Sequence, residues 1–231
     1  MQFDEIISVG GNCDAAHHVR RYFKIEKSMP MDWLIVPFSA LISMCNDDFR
    51  DFIRLDRLTL WNGTRHAVQC AKRGIVYQHD FPRDEQALVK IDDIVDAFTS
   101  VKEKYARRIE RLRDACRPGR SILFVRSWRE ILHTPADYPD YCIRGVPDYQ
   151  FGELLGALRL CFPETSFKVL FVNYGAQSID HRQALFADVR NCGDITDWTG
   201  SKGGWDEIFA RFDIKLTEAA PSAKRGLALA R

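Results

Sequence analysis

The sequence has no Cys-x-x-Cys pair, no apolar run near the roughly 20 residues that a membrane span requires, no internal repeat and almost no net charge. Each absence closes off a class of protein. The seven cysteines, at positions 13, 45, 70, 116, 142, 161 and 192, are odd in number and scattered, so neither a zinc site nor a disulfide framework is expected. Most read as small buried hydrophobes in a reducing compartment. Lysines and arginines number 33 against 32 acids, a net charge of +1, and without a global field nucleic acid is not an expected partner. Basic residues gather only locally, as at Arg107, Arg108, Arg111 and Arg113. The first residues, Met1 to Glu5, lack the positive stretch and apolar core of a signal peptide, and the expectation is a soluble cytoplasmic protein.

What is present is concentrated in Ile6-Ile7-Ser8-Val9-Gly10-Gly11-Asn12-Cys13-Asp14-Ala15-Ala16. An apolar run suited to a buried strand ends in two glycines, and a cysteine opens a segment with helical spacing through Val19, Tyr22 and Phe23. A side chain there sits at the carboxyl end of a strand and in the first turn of a helix. Backbone N–H groups are free at that point and the helix dipole favours negative charge, so a thiol there can become a thiolate. The turn is neither a dinucleotide fingerprint nor a P-loop, and no cofactor or metal is expected.

The rest of the chain reads as an α/β fold. Ser28 to Trp33 is irregular because Pro30 disfavours helical geometry before it. A helix is expected from Pro37 to about Cys45, then a short one through Phe49, Phe52 and Ile53 capped by Asn46-Asp47-Asp48. Leu58 to Trp61, the turn signal Asn62-Gly63 and the segment Gly74 to Pro82 suggest peripheral strands that carry His79 and Asp80 at a strand end. Asp84 to Cys116 has a helical stripe with a break before Asp92, and its charged remainder, Lys102 to Arg113, reads as a solvated face. Strands at Ser121 to Arg126 and Phe167 to Asn173 enclose a helix from Asp148 to Cys161, which implies a parallel βαβ unit. A strand near Asp188 to Arg190 and a helix from Trp205 to Phe212 follow. The expected architecture is a single domain over residues 1–220, three-layer αβα with a mainly parallel, Rossmann/SGNH-like central sheet. Residues 221–231 form a tail with little to bury.

Ligands of such sheets bind beyond the carboxyl ends of the strands, where Cys13, Arg126 and Asn173 all fall. A nucleophile with N–H donors beside it is what acyl transfer needs, so Cys13 is the candidate nucleophile, with Gly11 and Asn12 as oxyanion donors. Three histidines compete as its base. His17 lies one helical turn away, His181 follows a strand, and His79 comes from a separate element, a placement that lets it face the thiol. Asp80 or Asp32 is placed to orient the base, Trp33 to wall a pocket, and Arg126 to bind a carboxylate or phosphate through its planar fork. The alternatives are a glycan- or nucleotide-sugar-handling enzyme in which Cys13 is structural, and a non-catalytic binding module.

Ile7 to Ala16, then Pro30-Met31-Asp32-Trp33, then His79-Asp80-Phe81 resemble the DUF1796 family of putative papain-like cysteine peptidases, whose pattern is Ser-Leu-Gly-x-x-Cys, Pro-Phe-Asp-Trp and His-Asp-Phe. Val9 and Met31 are apolar departures from it. The resemblance implies Cys13 as nucleophile and His79 as base. The strand-to-helix turn is also similar to the nucleophile position of SGNH-type esterases, and Gly11-Asn12-Cys13 to the start of capsule-biosynthesis proteins of the WcbI type, linked to acyl transfer onto polysaccharide. These similarities imply a thiol-dependent hydrolase or acyltransferase acting on a small-molecule, peptide or glycan substrate.

Overall fold

A computed structural model describes residues 1–128, 148–175, 182–189 and 199–217. In chain order the elements are β1 (Gln2–Phe3), β2 (Glu5–Ser8), α1 (Cys13–Phe23), β3 (Leu34–Ile35), α2 (Phe38–Asn46), β4 (Leu58–Leu60), β5 (Val68–Cys70), β6 (Val76–Tyr77) and α3 (Ile94–Ala115). They continue with β7 (Ser121–Ser127), α4 (Asp148–Cys161), β8 (Ser166–Val172), β9 (Ala184–Ala187), α5 (Lys202–Arg211) and β10 (Lys215–Leu216). The fold is α/β. Strands β2, β7, β8 and β9 pair side by side in that order, all parallel, and α4 makes the β7-to-β8 crossover.

The apolar runs explain this sheet. Both faces of a parallel sheet are covered, so its strands are hydrophobic throughout and their residues alternate between two cores. Ile7, Ile122, Phe124, Val169 and Phe171 pack with α2, α3 and α4. Ile6, Leu123, Val125, Leu170 and Val172 pack with Ala15 and Val19 of α1 and with Trp205 and Phe209 of α5. The helix that carries Cys13 is pinned further by His18, which is buried, stacks on Trp205 at 4.9 Å and lies 2.6 Å from the Thr199 carbonyl. Burial holds its imidazole down at about 4, so it is neutral at neutral pH.

A second, antiparallel sheet runs β3-β6-β5-β4 and holds the expected peripheral strands. Asn62 and Gly63, both at positive φ, turn the chain between β4 and β5. Three expectations need correction. Residues 47–53 form turns rather than a short helix, with Asp48, Phe49 and Asp51 at positive φ, a geometry incompatible with helix. Helix α3 starts only at Ile94, because Arg83 and Val89 bridge as strand and Asp84 accepts from the Gln86 and Leu88 N–H groups. The last strand of the parallel sheet is Ala184–Ala187, earlier than read, with Asp188 and Val189 beyond it. His181, Arg190, Cys142, Cys192 and the tail 221–231 lie outside the described residues. Among the described residues no helix is long and apolar enough to cross a membrane.

The turn after β2 is closed on both sides. Gly10 and Gly11 adopt φ of +80° and +89°. A Cβ on Gly11 would lie 1.8 Å from the Ser127 carbonyl oxygen, and one on Gly10 would lie 2.8 Å from Val36 Cβ. Gly11→Ala is therefore expected to cost at least about 3 kcal/mol by urea unfolding, combining positive-φ strain with a backbone clash. Gly63→Ala, also at positive φ but with nothing within 4 Å, should cost only about 1 kcal/mol; equal losses would contradict the closed turn.

Candidate active site

Cys13 is the first residue of α1, with Asn12 extended at the N-cap. It is half-buried. Its own backbone N–H is directed at its sulfur, and the Gly11 N–H donates to no group among the described residues. These features favour the thiolate. The surroundings oppose it more strongly: burial first, then the carboxylates of Asp14, Asp32 and Asp80, push the thiol up to about 12. The expectation that the turn makes the thiol a thiolate is thus overturned: Cys13 is a neutral SH at physiological pH.

The three carboxylates differ in how they are held. Asp14 is buried and accepts from the Ser127 hydroxyl and, at 2.9 Å, from the Ala15 N–H. Asp80 accepts from Lys104 Nζ and, at 2.8 Å, from the Tyr105 hydroxyl. Asp32 is 2% exposed and accepts at 2.9 Å from the Met29 N–H, closing a turn in which its own N–H donates to the Met29 carbonyl. No ion pair neutralises it among the described residues. Burial raises its carboxyl to about 6, with the Met29 N–H and then Arg108, Arg20 and Arg111 opposing.

His79 is exposed, two residues beyond β6. Its imidazole is held below the ordinary value by lost hydration and by Arg83, against the pull of Asp80, so the ring is neutral at pH 7. Arg83 clasps this loop by donating to the carbonyls of Gln78, Ala87 and, at 2.8 Å, His66. No hydrogen bond joins His79 to Cys13, Asp32 or Asp80. The structure therefore brings Cys13, Asp32 and Asp80 into one electrostatic neighbourhood and leaves the His79 ring outside their hydrogen bonds.

The other nominated residues make contacts of their own. Arg126 is 3% exposed; it donates to the Val9 carbonyl at 3.2 Å and the Val36 carbonyl at 2.8 Å, with its guanidinium 4.7 Å from the Phe38 ring centre. It ties the end of β2 to the segment after β3. Asn173 likewise joins the Trp128 carbonyl, at 3.2 Å, to the Val189 N–H, at 2.7 Å. Trp33 is half-buried at positive φ, with Arg20 over its ring at 5.8 Å. Asp14, Ser127, Lys104 and Tyr105 were not nominated from the sequence. Asp14 had a signal, an acid next to the nucleophile; Lys104 and Tyr105 blend into an ordinary amphipathic helix.

A half-buried thiol at a closed strand-to-helix turn, ringed by carboxylates, defines a cysteine-centred α/β protein. The family model described as putative papain-like cysteine peptidase (DUF1796) matches residues 4–134, more than half of the chain, and the chain belongs to that family. It is also similar to an uncharacterized protein of Acanthamoeba polyphaga mimivirus, 24% identical over 140 aligned positions, with 52% of this chain and 60% of that relative covered. The chain thus spans less than two thirds of the relative's length. No solved structure matches.

The unpaired Asp32 carboxylate fixes a pH dependence. Its folded value, about 6, lies above the unfolded one near 3.8, so the folded state binds the extra proton between them and stability falls as pH rises through that window. Asp32→Asn keeps an acceptor for the Met29 N–H and carries no charge. The variant should be more stable than wild type at pH 8, by about 2 kcal/mol, and the gap should close by pH 4. Melting curves at the two pH values check this; a wild type more stable at pH 8 would contradict it.

Proposed function

We propose that the protein is a cysteine-nucleophile acyl-transfer enzyme. The observation that carries this reading is the placement of Cys13 as first residue of α1, behind a turn that only glycine can form. Membership of a family described as papain-like cysteine peptidases supports it. Cys13 Sγ attacks a substrate carbonyl while its proton passes to His79, whose neutral ring suits a base at pH 7. The proton moves with the attack, because the free thiol is held near 12. The backbone N–H groups of Gly11 and Asn12 receive the oxyanion. His79 then returns the proton to the leaving group; an acceptor hydroxyl next attacks the thioester carbonyl, its proton passing through His79 to the Cys13 sulfur as the C–S bond breaks. With water as acceptor the enzyme is a hydrolase or peptidase; with a sugar hydroxyl it is an acyltransferase. Asp80, locked by Lys104 and Tyr105, holds the loop that carries His79, and Asp32 sets the charge beside the thiol. We read residues 1–220 as one domain, three-layer and Rossmann/SGNH-like, since the two cores share a single parallel sheet.

Turnover of activated acyl esters and a peptide pool tests the assignment. Cys13→Ala should remove any activity found, and intact mass should show an acyl adduct on Cys13 in the wild type. His79→Ala should lower turnover about 10²- to 10⁴-fold. Full turnover by Cys13→Ala would sink the proposal.

A further inference from the structure

Helix α3 reads as a solvated face in sequence, yet side chains along one stripe of it reach both loops that flank Cys13. Lys104 and Tyr105 hold Asp80, beyond β6. Arg111 donates to the Ser28 carbonyl, at the start of the segment that carries Asp32. Arg108 lies four residues after Lys104 and three before Arg111, so it shares their stripe and stands between the two loops. Its guanidinium is half-buried, sits 5.6 Å from the Tyr105 ring centre, and acts electrostatically on Asp32, which in turn acts on Cys13.

Its neighbours spend their donors on the protein. Arg20 uses its guanidinium on Ile25, Glu26 and Ser28, Arg111 on Ser28, and Lys104 on Asp80. Arg108 makes no hydrogen bond and no ion pair with any described residue. With its guanidinium over the Tyr105 ring and its N–H fork bonded to no described residue, Arg108 keeps the planar donor set that binds a carboxylate or phosphate bidentately.

We propose that Arg108 binds an anionic group, carboxylate or phosphate, carried by the substrate of Cys13, and so sets the substrate class. The proposal rests on Cys13 as the reactive centre, and its test separates the two claims. Iodoacetate and iodoacetamide deliver the same reacting carbon with and without a negative charge, and their labelling can be read on the full chain at the Cys13 peptide. The ratio of the iodoacetate rate to the iodoacetamide rate should fall about tenfold in Arg108→Gln, and less in Arg108→Lys, which keeps the charge and loses the fork. An unchanged ratio in Arg108→Gln overturns the anion site and leaves Cys13 standing.

With labelling carried out above pH 9, where the thiol begins to ionise, labelling by neither reagent would instead count against Cys13, and thermal melting then reads the anion site alone. Inorganic phosphate or acetate, at matched ionic strength, should raise the melting temperature of the wild type and not of Arg108→Gln. A rise with phosphate alone assigns a phosphate-bearing ligand, and a rise with acetate alone assigns a carboxylate. Equal rises in both proteins, or none in the wild type, overturn the proposal.

Discussion

The contact between Gly11 and the Ser127 carbonyl is the constraint on which the rest depends. Two parallel strands, β2 and β7, end side by side, and the chain leaving β2 must pass the end of β7 with no room for a Cβ. Positive φ at Gly10 and Gly11 makes the passage possible and delivers Cys13 to the first position of α1. Other features lock the same junction. Ser127 reaches Asp14, Arg126 ties Val9 to Val36, and the Val36 N–H donates to the Gly11 carbonyl at 3.2 Å. The nucleophile candidate therefore stands on rigid chain, while His79 stands on a loop fastened by arginine and carboxylate contacts.

Magnitudes decide the state of the thiol. A helix N-terminus contributes typically up to 1 kcal/mol, at best about 2, toward an anion. Raising a thiol from 9.0 to about 12 amounts to about 4 kcal/mol in the opposite direction. Burial and three acids outweigh the dipole, and a thiolate–imidazolium pair is not preformed. Asp32 is the costly member of that group, buried and in no ion pair with any described residue, and a perturbed buried carboxyl is one of the marks by which candidate functional sites are found.

Much of this was legible in the sequence because it rests on local rules. Apolar runs marked the parallel strands, the Gly10-Gly11 pair marked the turn, and Pro30 marked the irregular wall. Asn62-Gly63 marked a real reversal. Features fixed by distant partners were not legible. The apolar spacing of Phe49, Phe52 and Ile53 imitates a helix, but those side chains belong to the core and their backbone is bent to reach it. The backbone acceptors of Arg126 come from Val9 and Val36, far away in sequence. The neutral thiol was illegible for the same reason, since burial first and then acids that include Asp32 and Asp80, from two different loops, act on it.

The pH dependence of alkylation at Cys13 tests most directly whether the site holds a neutral thiol that is activated only as it reacts. With iodoacetamide, read at the Cys13 peptide, the rate should still be rising well above pH 9, toward a midpoint near 12. A rate that has already levelled off at neutral pH would show a preformed thiolate and contradict it.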